Sequence, residues 1–250
     1  MTMKFLKQNF LNTTTMVTVN DGTDTVENLF DRNTRTAYVR NINTGTAQHD
    51  ITVTFSSPVV ISKVFIQNHN LKNYHFFLSG NPFNIPTPPA ESTNNSDSSN
   101  IHEFASVTVS SISLRMLSTT SGDNSITIGQ IYTGDTILNF ERNPSAIDYK
   151  PIKNRKQVVH KMPDGGVTQF IIRDKFKAQI KWKYLSASFT SQLENVYDTG
   201  TAFYFVPFAT TTAWDGKASE VVWTNNFDFR HSSNNKDAGF GGKIIIEDTA

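Results

Sequence analysis

Histidines, glycine-rich loops, serines and carboxylates are the residues of this chain that could do chemistry, and their spacing decides against most of it. His49, His69, His75, His102, His160 and His231 never fall at one-residue or helical three-to-four spacing with a second ligand, the arrangement a metal site on one element needs. His69 and His75 flank a turn and could meet in space, although a strand-end histidine is far more often a hydrogen-bonded structural group. Asp237-Ala238-Gly239-Phe240-Gly241-Gly242-Lys243 is glycine-rich but enters a strand and lacks Walker spacing, so it reads as a turn. There is no Gly-x-Ser-x-Gly nucleophile, and Ser79-Gly80 and Ser121-Gly122 belong to ordinary turns. Carboxylate pairs for glycoside cleavage meet only in the fold, and Glu141, Asp148, Asp164 and Asp174 each have a turn or strand-end explanation. No enzymatic activity and no cofactor are expected.

Binding without catalysis needs other groups. A sugar site uses exposed aromatics beside amides and acids, and Tyr38, Tyr74, Phe83 and Trp214 are the loop or strand-end aromatics that could serve. The competing reading is core packing, since burying one aromatic contributes roughly 1.5–3 kcal/mol. Phe83 and Ile85, on a proline-rich segment, are the candidates for a protein contact: two apolar anchors on a semi-rigid stretch. Charged residues make up 18% of the chain and nearly balance, at a net +1, so nothing draws the protein broadly to nucleic acid or an anionic membrane. Cysteine is absent, which removes disulfides, thiolate nucleophiles and cysteine zinc sites. Lys4 and Lys7 at the N-terminus precede no uninterrupted apolar run, so cytoplasmic synthesis without membrane insertion is expected.

The elements that must position these residues are strands. Among 250 residues there are 19 phenylalanines, and Val, Ile, Thr and Tyr dominate the apolar-periodic segments. The organising stretch is Ser125 to Asp135, where Ile126 and Ile128 alternate with Thr127 between Gly122 and Gly134, predicting a closing strand with one buried face. Before it, strands are predicted at 51–55 and 59–66, joined by Ser56-Ser57-Pro58, and at 74–78, 103–109 and 112–117. Residues 81–100 carry four prolines and a polar tail, predicting an exposed loop without ladders, either functional or partly disordered.

Leu29-Phe30-Asp31, the strand–Pro58–strand unit from Asp50 to Val64, and Ile128-Gly129-Gln130-Ile131 resemble the discoidin or galactose-binding-like jelly roll over roughly residues 20–135. The resemblance implies a β-sandwich with binding loops at one end. It also implies a calcium site, for which Asp21, Asp24 and Asp31 are the candidates; turn-forming aspartates are the preferred reading. Gln130 departs from the family, where an acidic residue is common.

In the second half, strands flanking Pro163-Asp164-Gly165-Gly166 form a hairpin, and Lys175 to Tyr184 alternates for ten residues, its four lysines reading as protection of an edge. A helix follows near 186–198, capped by Ser186 or Ser188, with Phe189, Leu193, Val196 and Tyr197 as its apolar stripe and Gly200 as its stop. The glycine hairpin, the lysine/aromatic strand, the helix with Phe189 and Leu193 and the aromatic strand after it resemble tail proteins of long-tailed bacteriophages, over about residues 126–250.

The expected architecture is mainly β: a jelly-roll β-sandwich at 1–135, then a β-rich domain at 136–250, split-barrel or sandwich like, with one packed α-helix. The expected function is a non-enzymatic structural component of a phage tail tip or baseplate, located in the virion. It would assemble with itself into a ring-like homo-oligomer and with other tail proteins. The alternative is a carbohydrate-binding module or adhesin that recognises host-surface glycan.

Overall fold

The computed structural model describes residues 2–19, 25–32, 36–41, 49–78, 84–85, 91–120, 122, 125–163, 165–209, 218–231 and 237–249. In chain order the strands are β1 (Thr2–Leu6), β2 (Val17–Val19), β3 (Tyr38–Asn41), β4 (His49–His69), β5 (Leu71–Leu78), β6 (Asn84–Ile85), β7 (Glu91–Ser92), β8 (Asn100–Thr119), β9 (Ser125–Gly134), β10 (Thr136–Asn139), β11 (Tyr149–Lys161) and β12 (Val167–Ser186). Helix α1 (Ala187–Asp198) comes next, followed by β13 (Phe203–Ala209), β14 (Ser219–Trp223), β15 (Phe229–His231) and β16 (Ala238–Asp248). The protein is mainly antiparallel β and divides into two compact units. The first takes Leu6–Ile137 with Val206–Ala218; the second takes Thr2–Phe5, Leu138–Phe205 and Ser219–Ala250.

The first unit is a jelly-roll-type β-sandwich built on two very long strands. Ser56-Ser57-Pro58 does not separate two strands as expected, and 103–109 is not separate from 112–117. β4 runs through 21 residues and β8 through 20. The pair shifts register between Thr54 and Val59 and again between Ile61 and Lys63, and such bulges bend a ladder. Before the bend β4 is flanked by β2 and β8 by β5; beyond it β4 pairs with β9, which pairs with β3. One layer is thus β2-β4-β8-β5, extended by the short β6 and β7 on β5, and the other is β3-β9-β4-β8, with β4 and β8 common to both. Ile51, Val53, Tyr74 and Phe76 of one layer and Tyr38, Ile61, Val64 and Ile128 of the other meet in a single buried cluster.

Two expectations change here. From Ile128 to Gly134 every residue of β9 is buried, so this strand is covered on both faces. The cover is the segment after β1. Asn9 donates to the Ile131 carbonyl (2.8 Å) and accepts from the Thr133 N–H (2.9 Å), and the Tyr132 hydroxyl donates to the Lys7 carbonyl (2.7 Å). Tyr132 also stacks on Phe65, with ring centroids 4.3 Å apart. Gly129 is required at its position, because a Cβ there would lie 2.9 Å from Asn68 Cβ. The 81–100 stretch is not free of ladders either. β6 and β7 pair with β5 opposite Phe76 and Tyr74, two-residue ladders of which the first lies between Pro82 and Pro86 and the second follows Pro89.

The second unit is a sheet in the order β10-β1-β13-β14-β16-β12-β11, with β15 beside β16, and with α1 packed on it. The helix begins where expected: Ser186 Oγ accepts the Phe189 N–H at 3.0 Å, and Phe189, Thr190, Leu193 and Val196 are buried. Gly200, at φ +59°, takes the left-handed conformation that ends it. Phe189 meets Phe140 (5.9 Å) and Trp182 (6.3 Å), and Phe5 meets Phe140 (4.9 Å) and Phe203 (4.5 Å), giving an aromatic core. The lysine-bearing strand is no edge where Lys177 lies: β12 has β11 along one side from Val167 to Ile180, and β16 on the other from Lys177 onward.

Candidate functional site

The residues proposed from sequence fall in different surroundings. Tyr38 and Tyr74, expected as accessible aromatics, are completely buried in the sandwich core. Both sit in strands whose inward face is closed by the opposite layer. Ile85 contributes backbone pairing to β5 opposite Phe76. Phe83, Trp214, Asp21 and Asp24 lie outside the described residues. Asp31 is exposed and accepts a hydrogen bond from Thr36 Oγ1, and no group of three metal-ligating side chains occurs among the described residues.

His69 and His75 take opposite faces of the first unit's structure rather than forming a pair. His75 stacks on Phe77 at 6.1 Å. His69 is buried: its Nδ1 accepts the Leu71 N–H (3.1 Å), so Nε2 carries the proton and donates to Asn100 Oδ1 (2.8 Å). Its neighbour Tyr74 shares a 3.0 Å hydrogen bond with His102 Nε2. Burial lowers both histidines from 6.5 to about 4 and raises the Tyr74 hydroxyl above its ordinary range. The cluster is neutral, closed and structural.

Two surface features of the second unit are different in kind. The first is the β11–β12 hairpin. Pairing of β12 with β16 begins only at Lys177, so among the described residues Val167–Phe176 pairs with β11 alone. The result is a two-stranded ribbon about 30 Å long at about 3.3 Å per residue. It closes through Met162 N–H to the Gly166 carbonyl (2.7 Å), with Gly165 at φ +86°. Val158, Val159, Met162, Val167 and Phe170 are exposed, and because Val158 and Val159 are consecutive, each face of the ribbon carries exposed apolar side chains among polar ones. An isolated two-stranded ribbon is marginal in water, and exposed apolar side chains on one are a recognised mark of interaction surfaces.

The second feature is an open cleft of about 600 Å³ on the β12–β16–β15 surface. Its lining includes Gln179, Lys181, Trp182, Tyr184, Asp228 and Arg230. Here the alternation of β12 fails. The β12–β16 register shifts between Trp182 and Leu185, Tyr184 adopts φ +62°, and Tyr184 is 65% exposed while Leu185 is buried. A non-glycine residue held in the left-handed region costs about 1–3 kcal/mol, a strain that clusters at functional sites. Beside it Arg230 grips Asp228 through Nε (2.9 Å) and Nη2 (3.2 Å). The floor is Gly241-Gly242, the run read as a turn from sequence. A Cβ on Gly242 would lie 2.5 Å from the Phe229 ring, so glycine lets that ring lie against the strand. Trp182 is buried, and its indole N–H has no acceptor among the described residues. An exposed ring, an amide, an acid and a guanidinium around one open cleft can stack on a pyranose face and hydrogen-bond its hydroxyls. Sequence reading missed Tyr184 because it completes the alternating pattern; the adjacent Gly-Gly pair opposite Trp182 was the available signal.

No protein-family model matches this chain, and no curated protein sequence matches it. Solved structures do. Chitosan-binding module 1 of the chitosanase/glucanase from Paenibacillus sp. IK-5 is 14% identical, covering 50% of this chain and 97% of its own, at a TM-score of 0.41. The family 32 carbohydrate-binding module of NanJ from C. perfringens, solved with galactose, is 15% identical over 52% of this chain and 98% of its own, at 0.39. A module from Clostridium perfringens, CpGH89CBM32-5, in complex with GalNAc-β-1,3-galactose, is 16% identical over 47% of this chain and 93% of its own, at 0.38.

Proposed function

We propose that this protein recognises glycan without turning it over, and that the Tyr184 cleft of the second unit is the recognition site. One observation carries the reading: a strained, exposed tyrosine beside Gln179 and the Asp228–Arg230 pair. These are the groups sugar binding requires, and they replace the buried Tyr38 and Tyr74 as candidates. The test is affinity electrophoresis through gels cast with single polysaccharides, neutral and acidic. Retardation by at least one polymer that is lost in Tyr184→Gly is expected; unchanged mobility across the panel rejects the reading.

The apolar ribbon favours a second role alongside the first. The protein would be a structural subunit of a long-tailed phage tail, at the tip or baseplate, self-assembling through the β11–β12 hairpin and meeting other tail proteins there. It would be made in the host cytoplasm and reside in the virion. Support comes from the exposed Val159, Val167 and Phe170 on a ribbon that has no third strand among the described residues. Native mass by light scattering across a concentration series is expected to give a discrete oligomer. Val159→Glu/Phe170→Glu is expected to give monomer, and a wild-type monomer at every concentration rejects self-assembly.

A further inference from the structure

The β12–β16 ladder treats its lysines in two ways. Lys177 lies directly opposite Glu247, and the two form an ion pair at 2.5 Å. Four residues further along the same face, Lys181 lies directly opposite Lys243. Like charges facing each other across a ladder destabilise it, and the chain shows at Lys177 how such a position is satisfied. Lys183 follows on the same face, and all three of Lys181, Lys183 and Lys243 are exposed and line the Tyr184 cleft. None of the three has an acidic partner among the described residues. The single carboxylate of the cleft, Asp228, has both oxygens engaged by Arg230. The cleft thus combines an aromatic platform with three uncompensated ammonium groups.

We infer that the ligand of this cleft is a saccharide chain carrying negative charge, a carboxylate or phosphate on the sugar, that supplies the anion the fold withholds between Lys181 and Lys243. The inference rests on the cleft being a glycan site and names the chemistry of its ligand. Tyr184 stacks on the ring, and the lysines, long and mobile point charges, reach the anion without demanding one geometry.

The experiment uses the full chain and matched polymers: polygalacturonate against its fully methyl-esterified form, and phosphomannan against neutral mannan. Retention of one acidic member above its neutral match supports the inference, and the pair that responds identifies carboxylate or phosphate. Lys181→Gln/Lys243→Gln is expected to weaken that acidic polymer about tenfold, the scale of a charge-assisted hydrogen bond. The same substitution removes a repulsion, so the unliganded thermal midpoint is expected to hold or rise. A falling midpoint would instead make the lysines structural and overturn the inference. Equal retention within each pair overturns it while leaving glycan recognition standing, and no retention of any polymer overturns both. Retention of polyglutamate as strong as that of the acidic polymers would reduce the cleft to a patch of charge and also overturn it.

Discussion

Burial fixes the charge state of His69 and His102, and pH therefore enters the stability of the first unit through them. Both sit at about 4 in the folded protein against 6.5 when exposed, because the low-dielectric surroundings disfavour the imidazolium. The Asp97 carboxylate near His69 opposes this and does not cancel it. The unfolded chain thus binds more protons than the folded one between those values. The stability the neutral histidines contribute is complete above pH 6.5 and is lost as pH falls toward 4. At pH 5.5 about one unit of the gap has been crossed, or roughly 1 kcal/mol per histidine, and less than the sum for two groups this close. Urea midpoints at pH 7.5 and 5.5 check this. The wild type is expected to lose stability over that interval, and His69→Gln/His102→Gln to lose much less, whatever its absolute midpoint. Equal losses in the two proteins would remove these histidines from the account.

At the scale of elements, the start of α1 is the best-determined junction in the second unit. Ser186 caps the Phe189 N–H while its own hydroxyl and N–H donate to Glu141, at 2.6 and 3.0 Å. Ser186→Ala removes a cap and leaves a carboxylate short of one donor, so a loss of about 1–2 kcal/mol is expected by urea denaturation, with Ser188→Ala nearly neutral. This junction was readable in the sequence because a cap, a three-to-four residue stripe and a terminal glycine are local signals, as is the Gly165-Gly166 hairpin turn. What the sequence did not carry were properties set by distant partners. Ser56-Ser57-Pro58 looks like a connection because nothing nearby reveals that β8 runs past it and keeps β4 whole. Tyr38 and Tyr74 look accessible because only the opposite layer buries them. Lys177 looks like edge protection because the reach of β11 and β16 is not visible in β12 itself. Tyr184 fits an alternating pattern that only the register shift against β16 breaks.

For the whole molecule, the ribbon and the cleft belong to one unit yet use separate surfaces of its sheet, so their contributions to polymer binding can be taken apart. A cleft this open offers each subunit a modest grip. If the ribbon joins subunits, one polysaccharide chain can occupy several clefts, and avidity can exceed a single-site affinity by about 10²–10⁴-fold without any new contact. Val159→Glu/Phe170→Glu, which leaves every cleft residue intact, is therefore expected to reduce retention of long polymer by about tenfold or more. Its affinity for a short oligosaccharide, measured by titration calorimetry, should match the wild type. Tyr184→Gly should reverse that pattern, weakening oligosaccharide and polymer while the oligomer's mass is unchanged. If the ribbon variant weakens the oligosaccharide as much as the polymer, the two surfaces are not independent and the division of labour between them fails.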